Sequence, residues 1–158
     1  MTSLPVDIAD QDDFAVHRHE FFLVPRLWAS YKLGFAFNWQ QVLFDASQRA
    51  LIPTRPGVYC FLIQPSIAQH PACSYLMYVG KADNLRKRFG DYLTKEQYPS
   101  GRPKIRRFLY RYRGYIRFCF SEAPSGKITT YEDALIGAFV PPLCDTLPAT
   151  ISKARRAF

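Results

Sequence analysis

A chain of 158 residues with a hydrophobic fraction of 48% and an aromatic fraction of 16% can build one real core, which excludes a disordered tail and leaves no room for two independent domains of ordinary size. Its formal net charge of +8 is concentrated: from Lys81 to Arg117 there are twelve Lys or Arg against three acids, so that window carries +9 and the remainder −1. Such a strip predicts a polyanionic partner, because each phosphate contact releases counterions, whereas a dispersed excess only aids solubility.

The start, MTSLPVDIADQDDFAVHRHE, is acidic and lacks the basic-then-apolar order of a signal peptide, and no apolar run reaches membrane-spanning length. A cytoplasmic protein with no membrane association is expected. After the loose acidic opening around Asp7, Asp10, Asp12 and Asp13, the stretch FAVHRHEFFLVPRLWASYKLGFAFNWQQVLFDASQRA predicts two or three short aromatic-rich helices broken at Pro25 and Gly34. Residues 1–52 thus read as a helical extension covering one face of the main domain. His17 and His19 have no nearby Cys or well-spaced carboxylate and read as surface residues rather than metal ligands.

An IPTRPG turn opens the main domain, residues 53–147. GVYCFLI (57–63) and YLMYVG (75–80) are rich in β-branched and aromatic side chains and predict an antiparallel hairpin across the loop QPSIAQHPACS. Asp83 or Asn84 then caps a helix in which Leu85, Phe89, Tyr92 and Leu93 recur at helical spacing. Arg86, Lys87 and Arg88 crowd its first turn, where an anion is expected at the helix N-terminus. Arg88 falls on the edge of the apolar face, and a guanidinium held there needs an anionic partner.

A second basic helix follows the GRP turn, with Ile105, Phe108, Leu109 and Tyr112 inward and Lys104, Arg106, Arg107, Arg111 and Arg113 elsewhere. Arg107 and Arg111 repel one another at i, i+4 unless something neutralises them. A nucleic-acid backbone is expected along this helix, joined by Arg86 and Lys87. YIRFCF (115–120) predicts a third strand. Thr129 or Thr130 caps the last helix of the domain, TYEDALIGAFV, which stops at Pro141 and Pro142, and residues 148–158 form a basic tail. Glu132 shares a face with Leu135, Ile136 and Phe139; it is either paired or metal-bound beside the core, or open to solvent in a first turn favoured by the helix dipole. Cys60, Cys73, Cys119 and Cys144 form no C-x-x-C pair and read as buried reduced thiols.

Taken together, GVY at 57–59, YVGKA at 78–82, a helix bearing Arg88, and a late helix with one glutamate followed by PPLC resemble the GIY-YIG nuclease family. YVGKADNLRKRFGDYL looks most like the catalytic domain of the bacterial nucleotide excision repair endonuclease. The likeness runs from about Arg55 to Thr146. It implies an α+β fold, a small three-stranded antiparallel sheet flanked by helices, in agreement with the order β-β-α-α-β-α. It further implies Tyr59 and Tyr78 as paired tyrosines, Gly80 as the small residue that opens the site, and Lys81 and Arg88 as phosphate-facing cations. Tyr92 becomes a supporting hydroxyl and Glu132 the ligand of one Mg²⁺ or Mn²⁺.

The activity so implied is metal-dependent endonucleolytic hydrolysis of DNA, with RNA as the alternative substrate, leaving 5′-phosphate and 3′-hydroxyl ends. A cation beside a tyrosine would lower its pKa from about 10. Two departures stand out. Where the family has asparagine after the final prolines this chain has Cys144, with Asp145 next to it, and the loop from Gln64 to Ser74 is longer than usual. Two further readings compete: a catalytically impaired nucleic-acid-binding module, and an interaction module whose N-terminal helices bind a protein partner.

Overall fold

In the computed structural model, which describes residues 14–65, 74–94, 102–147 and 149–156, four strands form one antiparallel sheet in the order β1-β4-β2-β3. They are β1 Gln40–Leu43, β2 Gly57–Ile63, β3 Tyr75–Ala82 and β4 Ile116–Glu122. The helices are α1 Pro25–Ser30, α2 Leu85–Leu93, α3 Pro103–Arg111, α4 Ile128–Phe139 and α5 Ala149–Arg156. The acidic opening and most of the long loop after Gln64 lie outside the described residues. No helix among the described residues is long and apolar enough to cross a membrane.

The fold is α+β, with one correction to the expected sheet: it has four strands, not three. The fourth, β1, comes from FNWQQVLF inside the segment expected to be helical, and pairs from Gln40↔Phe120 to Leu43↔Arg117. Its aromatic and β-branched residues suit a strand once β4 offers an open ladder, so tertiary pairing decides what local pattern leaves ambiguous. Of the expected helices in that segment, α1 forms, and Ala46–Leu51 makes a 3-10 turn capped by Asp45, whose side chain accepts from the Ser47 amide at 2.9 Å.

Strand register sorts the side chains into two faces. Tyr59, Phe61, Tyr78, Gly80, Phe118 and Phe120 share one, while Val58, Cys60, Val79, Lys81 and Cys119 share the other. The first face is covered by α2 and α3: the ring centroids of Phe89 and Phe118 are 5.1 Å apart, Tyr92 and Phe61 5.0 Å, and Phe108 and Phe61 6.1 Å. The second face carries α4, which packs on β2 and β3. Over α4 lies the aromatic N-terminal segment, with Phe35 stacked on Tyr131 at 4.5 Å.

Two features fix where β3 and α4 meet. Strand β3 holds one extra residue, Met77, where the register with β2 steps from Phe61↔Tyr78 to Leu62↔Leu76; such a bulge re-aims the strand beyond it. Helix α4 ends at buried Val140, whose φ of 45° and ψ of 58° put a β-branched residue in the left-handed region. The chain then turns back through Pro141 and Pro142, and the Leu143 amide donates to the Met77 carbonyl at 3.0 Å.

Candidate active site

Because β3 is an edge strand, side chains from both sheet faces can gather around its C-terminal end. Tyr78 and Gly80 come from one face, Lys81 from the other, and Tyr59 lies opposite Gly80 on β2. A Cβ on Gly80 would stand 2.5 Å from the Tyr59 hydroxyl and 2.9 Å from Tyr78 Cε1, so only glycine lets the two tyrosines lie side by side. Tyr59 and Tyr92 join hydroxyl to hydroxyl at 2.8 Å. Helix α4 presents Glu132 and Thr129 to the same place: Lys81 Nζ is 3.0 Å from Glu132 Oε2 and donates to Thr129 Oγ1 at 3.0 Å. The result is a cleft of about 320 Å³ lined by Tyr59, Tyr78, Lys81, Arg88 and Glu132, together with Arg102, Asp83 and Thr129.

Glu132 is therefore neither in the apolar core nor open to solvent; its side chain is 17% exposed and paired. Thr129 is not a helix cap, since α4 begins without a side-chain cap bond. Its hydroxyl instead holds Lys81. The phenols also depart from expectation. Burial drives the Tyr59 pKa far up, and Tyr92 and Tyr78 add to it, with Arg88 opposing weakly. Tyr78 is raised by the same two causes, burial and Tyr92, against the pull of Arg102. Desolvation outweighs the neighbouring cations, so both phenols keep their protons around neutral pH.

Arg102 is the residue that sequence reasoning missed. Its Nη1 donates to the Tyr78 hydroxyl oxygen, and the guanidinium lies 5.9 Å from that ring's centroid. It stands one residue before Pro103 in a turn, where neither helical nor strand periodicity says which way a side chain faces, so no local signal marks it.

At the start of α2, where an anion is expected, the first backbone donors are bonded within the chain. The amides of Leu85 and Arg86 donate to the carbonyls of Arg55 and Pro53, each at 3.0 Å, and the Lys87 amide donates to Asn84 Oδ1 at 2.9 Å. Arg86 itself spends its guanidinium on backbone, donating to the Ile52 carbonyl at 2.7 Å and to Ala50 at 3.1 Å. On the same side Arg49 lies against Gly90, where an added Cβ would meet its guanidinium at 2.9 Å. The remaining basic residues are more open. Arg106, Arg107 and Arg111 line a shallow groove on α3 with Pro103 and Tyr110, Arg113 lies 5.8 Å from the Tyr110 ring, and Lys87 faces Asp91 at 4.0 Å.

Cys144 and Asp145 go different ways. Asp145 points to Lys104, 2.6 Å away on the exposed surface. Cys144 is 4% exposed, and its sulfur lies 3.5 Å from both the Val79 amide and the Val79 carbonyl, bracing β3 between Tyr78 and Gly80. Burial pushes its thiol up to about 11. Cys60 and Cys119 are likewise buried and free.

His17 and His19 both meet the Tyr112 hydroxyl, at 2.8 and 2.9 Å, with His19 lowered by burial and then by His17 and Arg111. Among the described residues no group of three or more His, Cys, Asp or Glu could hold a metal. A cation in the cleft would rest on Glu132, with Asp83 on the same wall. That donor set fits Mg²⁺, which keeps several waters and takes one or two carboxylates plus substrate phosphate oxygens. The carboxylate is already aimed at a cation, Lys81.

No family model matches the chain, and no curated protein matches it. Among solved structures it is similar to the GIY-YIG N-terminal endonuclease domain of UvrC from Thermotoga maritima, seen in point mutants bound to their catalytic divalent cation. One such structure shares 20% identity at a TM-score of 0.44, a second 18% at 0.44 and a third 18% at 0.43. Each comparison covers 63% of this chain and 93% of that one.

Proposed function

We propose that this chain is a divalent-metal-dependent endonuclease that hydrolyses phosphodiester bonds in DNA. The observation that carries the reading is the meeting of two tyrosines, three cations and one paired carboxylate in a single cleft at the end of β3. Hydrolysis of a phosphodiester needs an oriented water, positive charge around the phosphorus and help for the leaving oxygen. Arg88 and Lys81 bind the phosphate oxygens, Tyr78 orients the water, and Tyr92 holds Tyr59 beneath Gly80. Glu132 holds the divalent cation, which when bound supplies Lewis-acid charge at the phosphate. The groove with Arg106, Arg107 and Arg111 carries the flanking backbone of the nucleic acid by contacts that read no sequence.

A second reading, nucleic-acid binding without cleavage, is favoured by one feature: Cys144 offers a weak donor and acceptor where an amide would bond strongly. Plasmid DNA decides between them. The native protein is expected to nick or linearise it with Mg²⁺ and not with EDTA, while Glu132→Gln, which removes charge but little volume, binds DNA in EDTA like the native chain and cuts nothing. Salt-sensitive binding by a native protein that never cuts would select the second reading, and retained cleavage by Glu132→Gln would remove Glu132 from the metal.

A further inference from the structure

The Tyr78 phenol oxygen accepts a hydrogen bond from Arg102, whose guanidinium also lies against the ring. Lys81, on the opposite side of the cleft mouth, is committed to Glu132 and Thr129. Although Arg102 is exposed as a residue, its guanidinium is part-buried where it meets the phenol, so it has exchanged some of its hydration for the Tyr78 oxygen. A cationic N–H on a phenol oxygen favours the electron-rich form of that oxygen.

We propose that Arg102 is a positioning residue for the hydrolytic step, fixing the Tyr78 oxygen toward the attacking water and easing the loss of its proton. The inference rests on the nuclease reading above. In a minor fraction of molecules Tyr78 gives its proton to solvent. The phenolate oxygen then takes a proton from the water as the water oxygen bonds to phosphorus. The bond from phosphorus to the 3′ oxygen breaks, its electron pair leaves on that oxygen, and solvent protonates it. Charge created on Tyr78 thus forms beside the guanidinium bonded to it. Burial outweighs Arg102 and keeps most of the phenol protonated, so the phenolate is a minor form whose share the guanidinium increases.

Single-turnover cleavage of duplex DNA, followed across about pH 6–10, tests this in the native protein, Arg102→Gln, Arg102→Lys, Tyr78→Phe and the pair Tyr78→Phe/Arg102→Gln. Arg102→Gln should cut about 30-fold more slowly, and the rising limb of its pH profile should move up by about one unit. Arg102→Lys should recover part of the rate. In the Tyr78→Phe background the same substitution should cost almost nothing, because its partner oxygen is gone.

An equal loss in both backgrounds, or an unmoved limb, overturns the proposal. So does a fall of about one unit in the salt slope of DNA binding in EDTA for Arg102→Gln, which would make Arg102 a phosphate contact instead. A native protein that cuts nothing with Mg²⁺ or Mn²⁺ overturns the nuclease reading itself, a result separate from native activity with an indifferent Arg102→Gln.

Discussion

Cys144 grips the Val79 amide and carbonyl through one sulfur atom, each contact 3.5 Å long. An asparagine amide brings a true donor and a true acceptor to the same two groups. Cys144→Asn should therefore stiffen β3 between Tyr78 and Gly80 and raise the single-turnover cleavage rate about tenfold, the worth of one good hydrogen bond. The added volume enters a site only 4% exposed, so thermal melting belongs beside the kinetics. A folded variant that cuts no faster would take Cys144 out of the rate-limiting network. At this scale the sequence marks a residue clearly when its type and spacing are both unusual, as with a carboxylate three residues before an apolar stripe at Glu132. Arg102 gave no such sign, since its partner Tyr78 is 24 residues away and they meet only in the folded chain.

Basic residues that look alike in the sequence separate once the elements assemble. Arg86 ties α2 to the 3-10 turn through two backbone carbonyls, while Arg106 belongs to the groove on α3. Arg86→Ala should lower stability by about 1 kcal/mol, because the half-buried Ile52 carbonyl loses its donor, and leave the salt slope of DNA binding unchanged. Arg106→Ala should do the reverse, keeping the melting temperature and reducing the slope by about one unit. Equal slopes in the two variants would mean that α3 is not where the phosphates lie. The hairpin of β2 and β3, helices α2 to α4 and strand β4 were legible because each keeps one period over seven or more residues. Strand β1 was not: four residues are too few for a period, and the ladder that makes them a strand belongs to β4, about 75 residues further along the chain.

For the molecule as a whole, alkaline pH acts on buried thiols and phenols. Burial pushes Cys119 and Cys144 to about 11 from an ordinary 9.0. In the unfolded chain these thiols ionise near pH 9, in the folded chain only near pH 11, so between those limits the folded form holds more protons. Their contribution to stability is intact below pH 9 and is lost as pH rises through about 11, with Cys60, Tyr59 and Tyr78 extending the decline. Urea denaturation at successive pH values should show this fall, and Cys119→Ala/Cys144→Ala should make it shallower while Cys60 and the phenols keep the rest; an undiminished fall in the double variant would place its origin elsewhere.

The segment that follows α4 has a consequence at this scale too. Edge strands invite other chains to add to them, and β3 is an edge. The Leu143 amide occupies the Met77 carbonyl, and Cys144 occupies both polar groups of Val79. At the opposite edge β1 is only four residues long. The turn after α4 thereby occupies the middle of the outer strand, so this sheet is poorly suited to template copies of itself.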